Sequence, residues 1–319
     1  MLAYITRKIL HLIPMLLVIS FLIYLGMDLM PGDAVDFMIS PDDMASVSKE
    51  ALAQMRSNLG LDKPFIVRYF IWLVNLVQGD FGYSIQSGVP VSTLFANTLP
   101  ATIELSLAAL LISSVLGSFL GVVSALKKNS IADNALSVAG MVGIAIPQFL
   151  LGLICIIVFV FKLKWLPVGG RMTPGHEAIF LRLEYLVLPA LVLGLSMTAG
   201  VMRYARASML DSMNRDFVKT ARSKGLPEWR VNLFHGFRVA CTPVAVLIGF
   251  RLPMLIGGAV VIEQIFQWPG IGVLFLAAVR AQNTPIVMMV GFFSVLLVLL
   301  ASIVVDVLTA LLDPRIKFQ

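Results

Sequence analysis

The stretch from Ala205 to Ala240, ARASMLDSMNRDFVKTARSKGLPEWRVNLFHGFRVA, is the longest polar interruption in the second half of an otherwise apolar chain. With Arg203 just ahead of it, it carries eight basic residues (the others are Arg206, Arg215, Lys219, Arg222, Lys224, Arg230 and Arg238) against three acidic ones, Asp211, Asp216 and Glu228. An excess of Lys and Arg beside membrane spans marks a cytoplasmic loop. At about 100° per residue, Met209, Met213, Phe217, Thr220 and Ala221 fall on one helical face, with Arg215, Lys219 and Arg222 opposite. Gly225 sits where a helix stops, because glycine tolerates the left-handed turn after the last helical residue. Pro227 suits the first turn of a new helix, where its missing N–H would be unpaired anyway. Trp229, Leu233, Phe234 and Phe237 give that second helix an apolar side. The expectation is two short helices meeting at a hard corner on the cytoplasmic membrane face. Such a corner can pack on its own bundle or dock into a groove of another protein, and the pattern leaves both open.

The surrounding composition fixes the class. Of 319 residues, 59% are hydrophobic and 13% charged. Several apolar runs reach the roughly 20 residues needed to cross a bilayer. This predicts an all-α polytopic membrane protein. The net charge of +6 is clustered on segments facing one side of the membrane, so it orients the chain and is no nucleic-acid signal. Cys155 and Cys241 both fall in expected spans, and His11, His176 and His235 are scattered; neither set has metal-ligand spacing.

In chain order, Arg7 and Lys8 precede an apolar run from Ile9 to Leu29, too long for a typical signal-peptide core and without a small-x-small site after it. It reads as span one, closed by Pro31 and Gly32, so residues 1–31 form a cytoplasmic tail and first span. Residues 32–98 read as an external segment, with seven acidic residues against four basic. Ser46 to Leu59 forms a polar helix stopped by Gly60. Phe65 to Val77 forms an apolar helix too short to span, packed on the bundle's outer surface or lying at the interface. Residues 99–319 hold the remaining five spans: about Thr102–Leu126, Ala135–Phe161 with a kink near Pro147, Leu186–Met202, Ala240–Ile262 and Pro285–Leu312. The basic loop, residues 203–240, lies between the fourth and fifth. Span five holds Pro243, Gly249, Pro253, Gly257 and Gly258, so it is expected to bend or move. Six spans put both termini in the cytoplasm.

The run DFVKTARSKGLPEWRV, Asp216 to Val231, resembles the cytoplasmic signature loop of ABC importer permeases, and is especially similar to the dipeptide, oligopeptide and nickel branch, where a Tyr/Phe-x-x-Thr-Ala-Arg-x-Lys-Gly-Leu core is typical. The general signature has Glu-Ala-Ala where this chain has Lys219, Thr220 and Ala221, a departure usual for the peptide branch. Further blocks resemble the same family in the right order: PGD at 31–33 with LGLDKPFIVRYFIWL at 59–73 and GDFGYS at 79–84, EQIFQWPGIG at 263–272, and DPRIKF at 313–318. The resemblance implies that Phe217, Lys219, Thr220, Ala221, Arg222, Lys224, Gly225, Leu226 and Pro227 form a coupling helix that inserts into a cleft on a separate ATPase. It also implies a second, homologous permease subunit, two ATP-binding subunits, an extracytoplasmic substrate-binding protein, membrane lipid around the chain and a bacterial inner-membrane location. No cofactor is expected on this chain, with ATP bound by the partner subunits. Consistently, none of the 24 glycines precedes a lysine, so the P-loop pattern that cradles phosphates is missing. No Gly-x-Ser-x-Gly elbow or His-Glu-x-x-His pair arranges a nucleophile or metal either.

Ionisable residues at membrane depth are costly and rarely idle. Arg251 stands 11 residues into span five, about 16 Å deep at 1.5 Å per residue. It either meets a substrate carboxylate in the translocation path or pairs with an acid on a neighbouring helix or subunit. The resembled family more often has an uncharged polar residue near this place. Glu263, a second candidate for the path, and Glu104 stand at outer helix ends, where a carboxylate can also cap or anchor. Asp306 lies late in span six, within reach of water or Arg315. Di- or oligopeptides are the expected substrates, with nickel or a metal chelate as the alternative. A lone secondary transporter would show paired repeats with broken helices; segments 32–98 and 203–240 have no counterparts. A membrane-embedded enzyme lacks any constellation of catalytic groups.

Overall fold

The structure, a computed structural model, describes residues 2–33, 35–36, 39, 47–171, 179–251 and 259–312. The expected family-like tail at 313–318, and Pro253, Gly257 and Gly258 of span five, lie outside them. Among the described residues the chain is helical, with a single isolated bridge between Tyr83 and Pro90. Five helices are long and apolar enough to cross a membrane: α1 (Leu2–Asp28), α4 (Val91–Leu126), α7 (Ile179–Met213), α9 (Glu228–Gly249) and α12 (Thr284–Leu312). Between α4 and α7, α5 (Ile131–Ala145) and α6 (Gln148–Lys162) meet at 101°, a bent pair that together has the length and apolar composition of a sixth span. The expected kink is thus a true break. Pro147 forces its predecessor out of the helical region, and Ile146 is extended at φ −77°, ψ 120°. The shorter helices are α2 (Lys49–Asn58), α3 (Phe65–Gln78), α8 (Asp216–Ser223), α10 (Val260–Ile265) and α11 (Ile271–Arg280).

The helices run further than the apolar runs predict. Hydropathy marks only the stretch in lipid, while the helix continues wherever its backbone bonds close internally. Thus α4 begins at Val91 rather than Thr102, and α7 extends from Ile179 to Met213 around a shorter apolar centre.

The chain forms two compact units. One comprises Met1–Pro100 and Gly270–Leu297, the other Ala101–Pro269 and Val298–Gln319. In the first, α2 starts on a Ser48 cap, whose side chain accepts from Ala51 N–H. Its Arg56 reaches Asp33 at 2.5 Å and Asp36 at 2.9 Å. Asn283 ties its end of α12 to the loop before α4 through Ser84 Oγ (3.0 Å) and the Ile85 N–H. In the second unit the core gathers Leu105, Leu188, Val192, Ile262, Phe266 and Trp268, all fully buried. The indole N–H of Trp268 donates to the Ala101 carbonyl at 2.7 Å, so the buried ring leaves no polar atom unpaired.

Candidate functional site

The polar stretch at 205–240 does fold into a corner. Helix α7 runs as far as Met213, a tight turn follows in which Arg215 N–H bonds Ser212 O, and α8 restarts at Asp216. The restart resets the helical phase. The face expected to hold Met209, Met213, Phe217, Thr220 and Ala221 is therefore split. Val218 and Ala221 point inward, packed with Val231, Met213 and Leu226, whereas Phe217 is 37% exposed and Thr220 is exposed.

Helix α8 ends in a left-handed glycine turn. Gly225 has φ +74°; its N–H bonds Arg222 O at 2.9 Å and the Leu226 N–H bonds Ala221 O at 3.4 Å. That conformation crowds any Cβ, which is why glycine stands there. Pro227 (φ −64°) opens α9, with its carbonyl accepting from Arg230 N–H and Val231 N–H. The corner is bound across its outside by Arg222, whose guanidinium makes two bonds to Glu228, at 2.8 and 3.2 Å. Lys219 pairs with Asp216 at 2.9 Å, and that bond holds the Asp216 carboxyl below its ordinary range. The acid sits in the first turn of α8, where the helix dipole favours a negative charge. Phe217, Lys219, Thr220, Arg222, Lys224, Gly225 and Pro227 are thus all solvent-facing, Leu226 is half-buried, and Ala221 is the inward foot of the turn.

The second helix departs from expectation in its length: α9 continues from Glu228 to Gly249 and is itself the start of span five. Of its apolar side, Trp229, Leu233 and Phe234 are exposed. Trp229 and Phe234 meet edge to face at 6.3 Å, with Arg230 over the indole at 5.2 Å. The inward side of this helix is made instead by Val231, Gly236 and Ala240. From Val231 to Phe237 the helix widens into a π turn. A carbonyl left by the wider bonding needs a donor, and Ser212 Oγ on α7 donates to Gly236 O at 2.8 Å.

Just above the corner, Arg206 of α7 grips Asp133 at the start of α5, Nε to Oδ1 and Nη2 to Oδ2, both 2.8 Å. Asp133 also accepts from Ser124 Oγ at the end of α4 and from Asn129 N–H. One carboxylate thereby joins three helices. Spacing in the sequence does not mark this group, since the side-chain partners of Asp133, Ser124 and Arg206, lie nine and 73 positions from it.

The two path candidates are placed differently. Arg251 is half-buried, donates to the Met197 carbonyl at 2.9 Å, and pairs with no carboxylate among the described residues. A Cβ on Gly200 would stand 2.3 Å from its Nη2, so α7 leaves a notch for the guanidinium. Glu263 is fully buried, with Thr102 Oγ1 donating to Oε1 at 2.5 Å. Glu104 is bound by Arg171 at 2.8 and 3.1 Å.

Comparison with known proteins places this arrangement. The model of the family described as "binding-protein-dependent transport system inner membrane component" matches residues 117–318, and its N-terminal companion matches residues 1–107. The chain is 41% identical, over the whole of both sequences, to the oligopeptide transport system permease protein AppB of Bacillus subtilis. It is 40% identical to a putative peptide permease protein of Brucella ovis over 99% of each chain. It is 34% identical to the glutathione transport system permease protein GsiC of Escherichia coli K12 over the full length of both. Among solved structures, the crystal structure of an amino acid ABC transporter with histidines shares the fold, with a TM-score of 0.54 at 14% identity, over 68% of this chain and 94% of that one. With family models over both halves and full-length relatives at this identity, the chain belongs to the binding-protein-dependent transport system inner membrane components, the membrane permeases of ABC importers.

Proposed function

We propose that this permease forms one half of the translocation path of an ATP-driven importer of di- or oligopeptides, beside a second, homologous permease. Both termini would be cytoplasmic, two ATP-binding subunits would carry the ATP, and a binding protein would deliver substrate from the other side. The relatives' names, all of them peptide or glutathione systems, support peptides over nickel or a metal chelate.

The observation that carries the mechanism is the corner at Gly225. Seven of the nine residues proposed for coupling are exposed there, and the helix leaving the corner is continuous with span five. Closure of the ATPases would push α8 and Pro227 together, and α9 would deliver that push into the membrane. Arg251, two residues past the end of α9, would then be moved with it. In this reading Arg251 meets the substrate carboxylate, and Glu263 anchors α10 against Thr102 rather than meeting solute.

The test is purification and uptake. The tagged chain should bring down two ATP-binding subunits and a second permease, and the binding protein loaded with peptide should stimulate ATP hydrolysis. Stimulation by chelated nickel but not by peptides would overturn the substrate assignment. A chain that moved solute alone would overturn the coupling.

A further inference from the structure

The short apolar helix α3 (Phe65–Gln78) has two apolar sides, and only one of them is covered. At about 100° per residue its apolar arc is about 220° wide. One part of that arc, Phe65, Tyr69 and Trp72, packs on α1. Phe65 meets Phe21 and Tyr24 with ring centroids 5.5 Å apart, Tyr69 meets them at 5.3 and 5.7 Å, and Trp72 meets Tyr24 at 6.4 Å. The Tyr69 hydroxyl donates to the Leu17 carbonyl at 3.1 Å and lies 3.0 Å from Ser20 Oγ. The other part is open: Ile66 is 50% exposed, Phe70 57%, Val74 53% and Val77 82%. Arg68, Asn75 and Gln78, with Ile71 among them, make the remaining polar strip.

The contacts with α1 fix the level at which α3 lies. Arg68 is paired with Asp28, the last residue of α1. Phe21 and Tyr24 stand seven and four residues before that end, about 6–10 Å along the helix, and Leu17 about 16 Å. A helix gripping α1 at these positions is below the rim of the bilayer, not above it. On α1 itself Val18 and Leu22 are 59% and 57% exposed, and on a membrane span such a surface meets lipid. A helix in the boundary between headgroups and acyl chains buries its apolar side by about 5–10 Å.

We infer that α3 is sunk in the membrane beside α1, with Ile66, Phe70, Val74 and Val77 against lipid acyl chains and the Arg68–Asn75–Gln78 strip toward the headgroups. The helix after the first span is then a lipid-binding element, and the aqueous part of the segment at 32–98 is confined to the residues around it. This rests on the reading of the chain as a permease crossing the membrane at α1.

Nitroxide labels read the surroundings directly. Cys155 and Cys241 are replaced by serine. Single substitutions Phe70→Cys, Val74→Cys and Val77→Cys, with Asn75→Cys and Gln78→Cys as references, are then labelled in the complete transporter. The labelled transporter is reconstituted in phosphatidylethanolamine–phosphatidylglycerol vesicles. Power saturation with oxygen and with a water-soluble nickel chelate should show oxygen dominating at 70, 74 and 77, with the order inverting at 75 and 78. Dominant nickel-chelate broadening at 70, 74 and 77 would put this face in water and overturn the inference. Low accessibility to both relaxants would put a protein there and overturn it equally. Peptide-stimulated ATP hydrolysis measured on the same labelled transporters reports separately on the permease reading, which stands or falls without α3.

Discussion

Arg206 and Asp133 form a two-pronged ion pair between α7 and α5, with the carboxylate 3% exposed and the guanidinium 30%. The pair lies seven residues before the end of the helix that leads into the corner at Gly225, so it ties that helix to the turn between α4 and α5.

Removing Arg206 leaves the enclosed Asp133 carboxylate without its partner, whereas removing the carboxylate leaves a guanidinium that is partly exposed. Both variants should lower the unfolding temperature, Arg206→Ala more than Asp133→Asn. Thermal unfolding in detergent reads the loss. If Arg206→Ala leaves the unfolding temperature unchanged, the pair has no structural weight.

At Gly225 the backbone lies in the left-handed region, φ +74°. A branched side chain there costs roughly 1–2 kcal/mol. Gly225→Val should reduce binding-protein-stimulated ATP hydrolysis while the spans still assemble, and Gly225→Asn should retain more of it, since asparagine tolerates this conformation. Equal stimulation in both variants would show that the turn's geometry is irrelevant to coupling.

Arg251→Gln should abolish uptake with the complex still assembled. Gly200→Ala provides an independent approach, because its Cβ would fall 2.3 Å from Arg251 Nη2 and displace the guanidinium from its notch. Uptake and co-purification measured side by side decide the matter. Normal uptake in Arg251→Gln removes the residue from the path.

Acid should loosen α2 before the spans. Burial pushes the Asp33 carboxyl up, but hydrogen bonds from Arg56 and from the Asp36 and Val35 N–H groups outweigh it, and the carboxyl lies below its ordinary value of 3.8. A depressed carboxyl lends stability above the unfolded value and loses it as pH falls through the lower, folded one. The protection of the α2 amides, meaning their exchange relative to the intrinsic rate at each pH, should therefore hold down to about pH 4 and fall below it. Asp33→Asn should remove that pH dependence.

How far the sequence could be read depends on which physics decided each element. Gly225 and Pro227 fixed a turn by local sterics, and the turn is where they place it. Pro147 marked a disturbance, and its steric effect on Ile146 was larger than a kink. The inward face of the corner was lost because the chain restarts at Asn214–Arg215, after which a single helical phase no longer holds. Trp229, Leu233 and Phe234 marked an apolar side without its direction: beside a membrane, an apolar stripe can face outward as readily as inward. Asp133 and Arg206 could not be paired from spacing, since only the packing of α5 against α7 brings them together.

The π turn at Val231–Phe237 stores one surplus residue inside an otherwise regular rod. If those seven positions tightened to ordinary α-helical bonding, everything from Arg238 onward would swivel by about 100° and slide by about 1.5 Å. Ser212 would then lose the Gly236 carbonyl it now holds. A thrust at the corner thus need not tilt the span at all: the thread of the screw is already cut, and one hydroxyl is its latch.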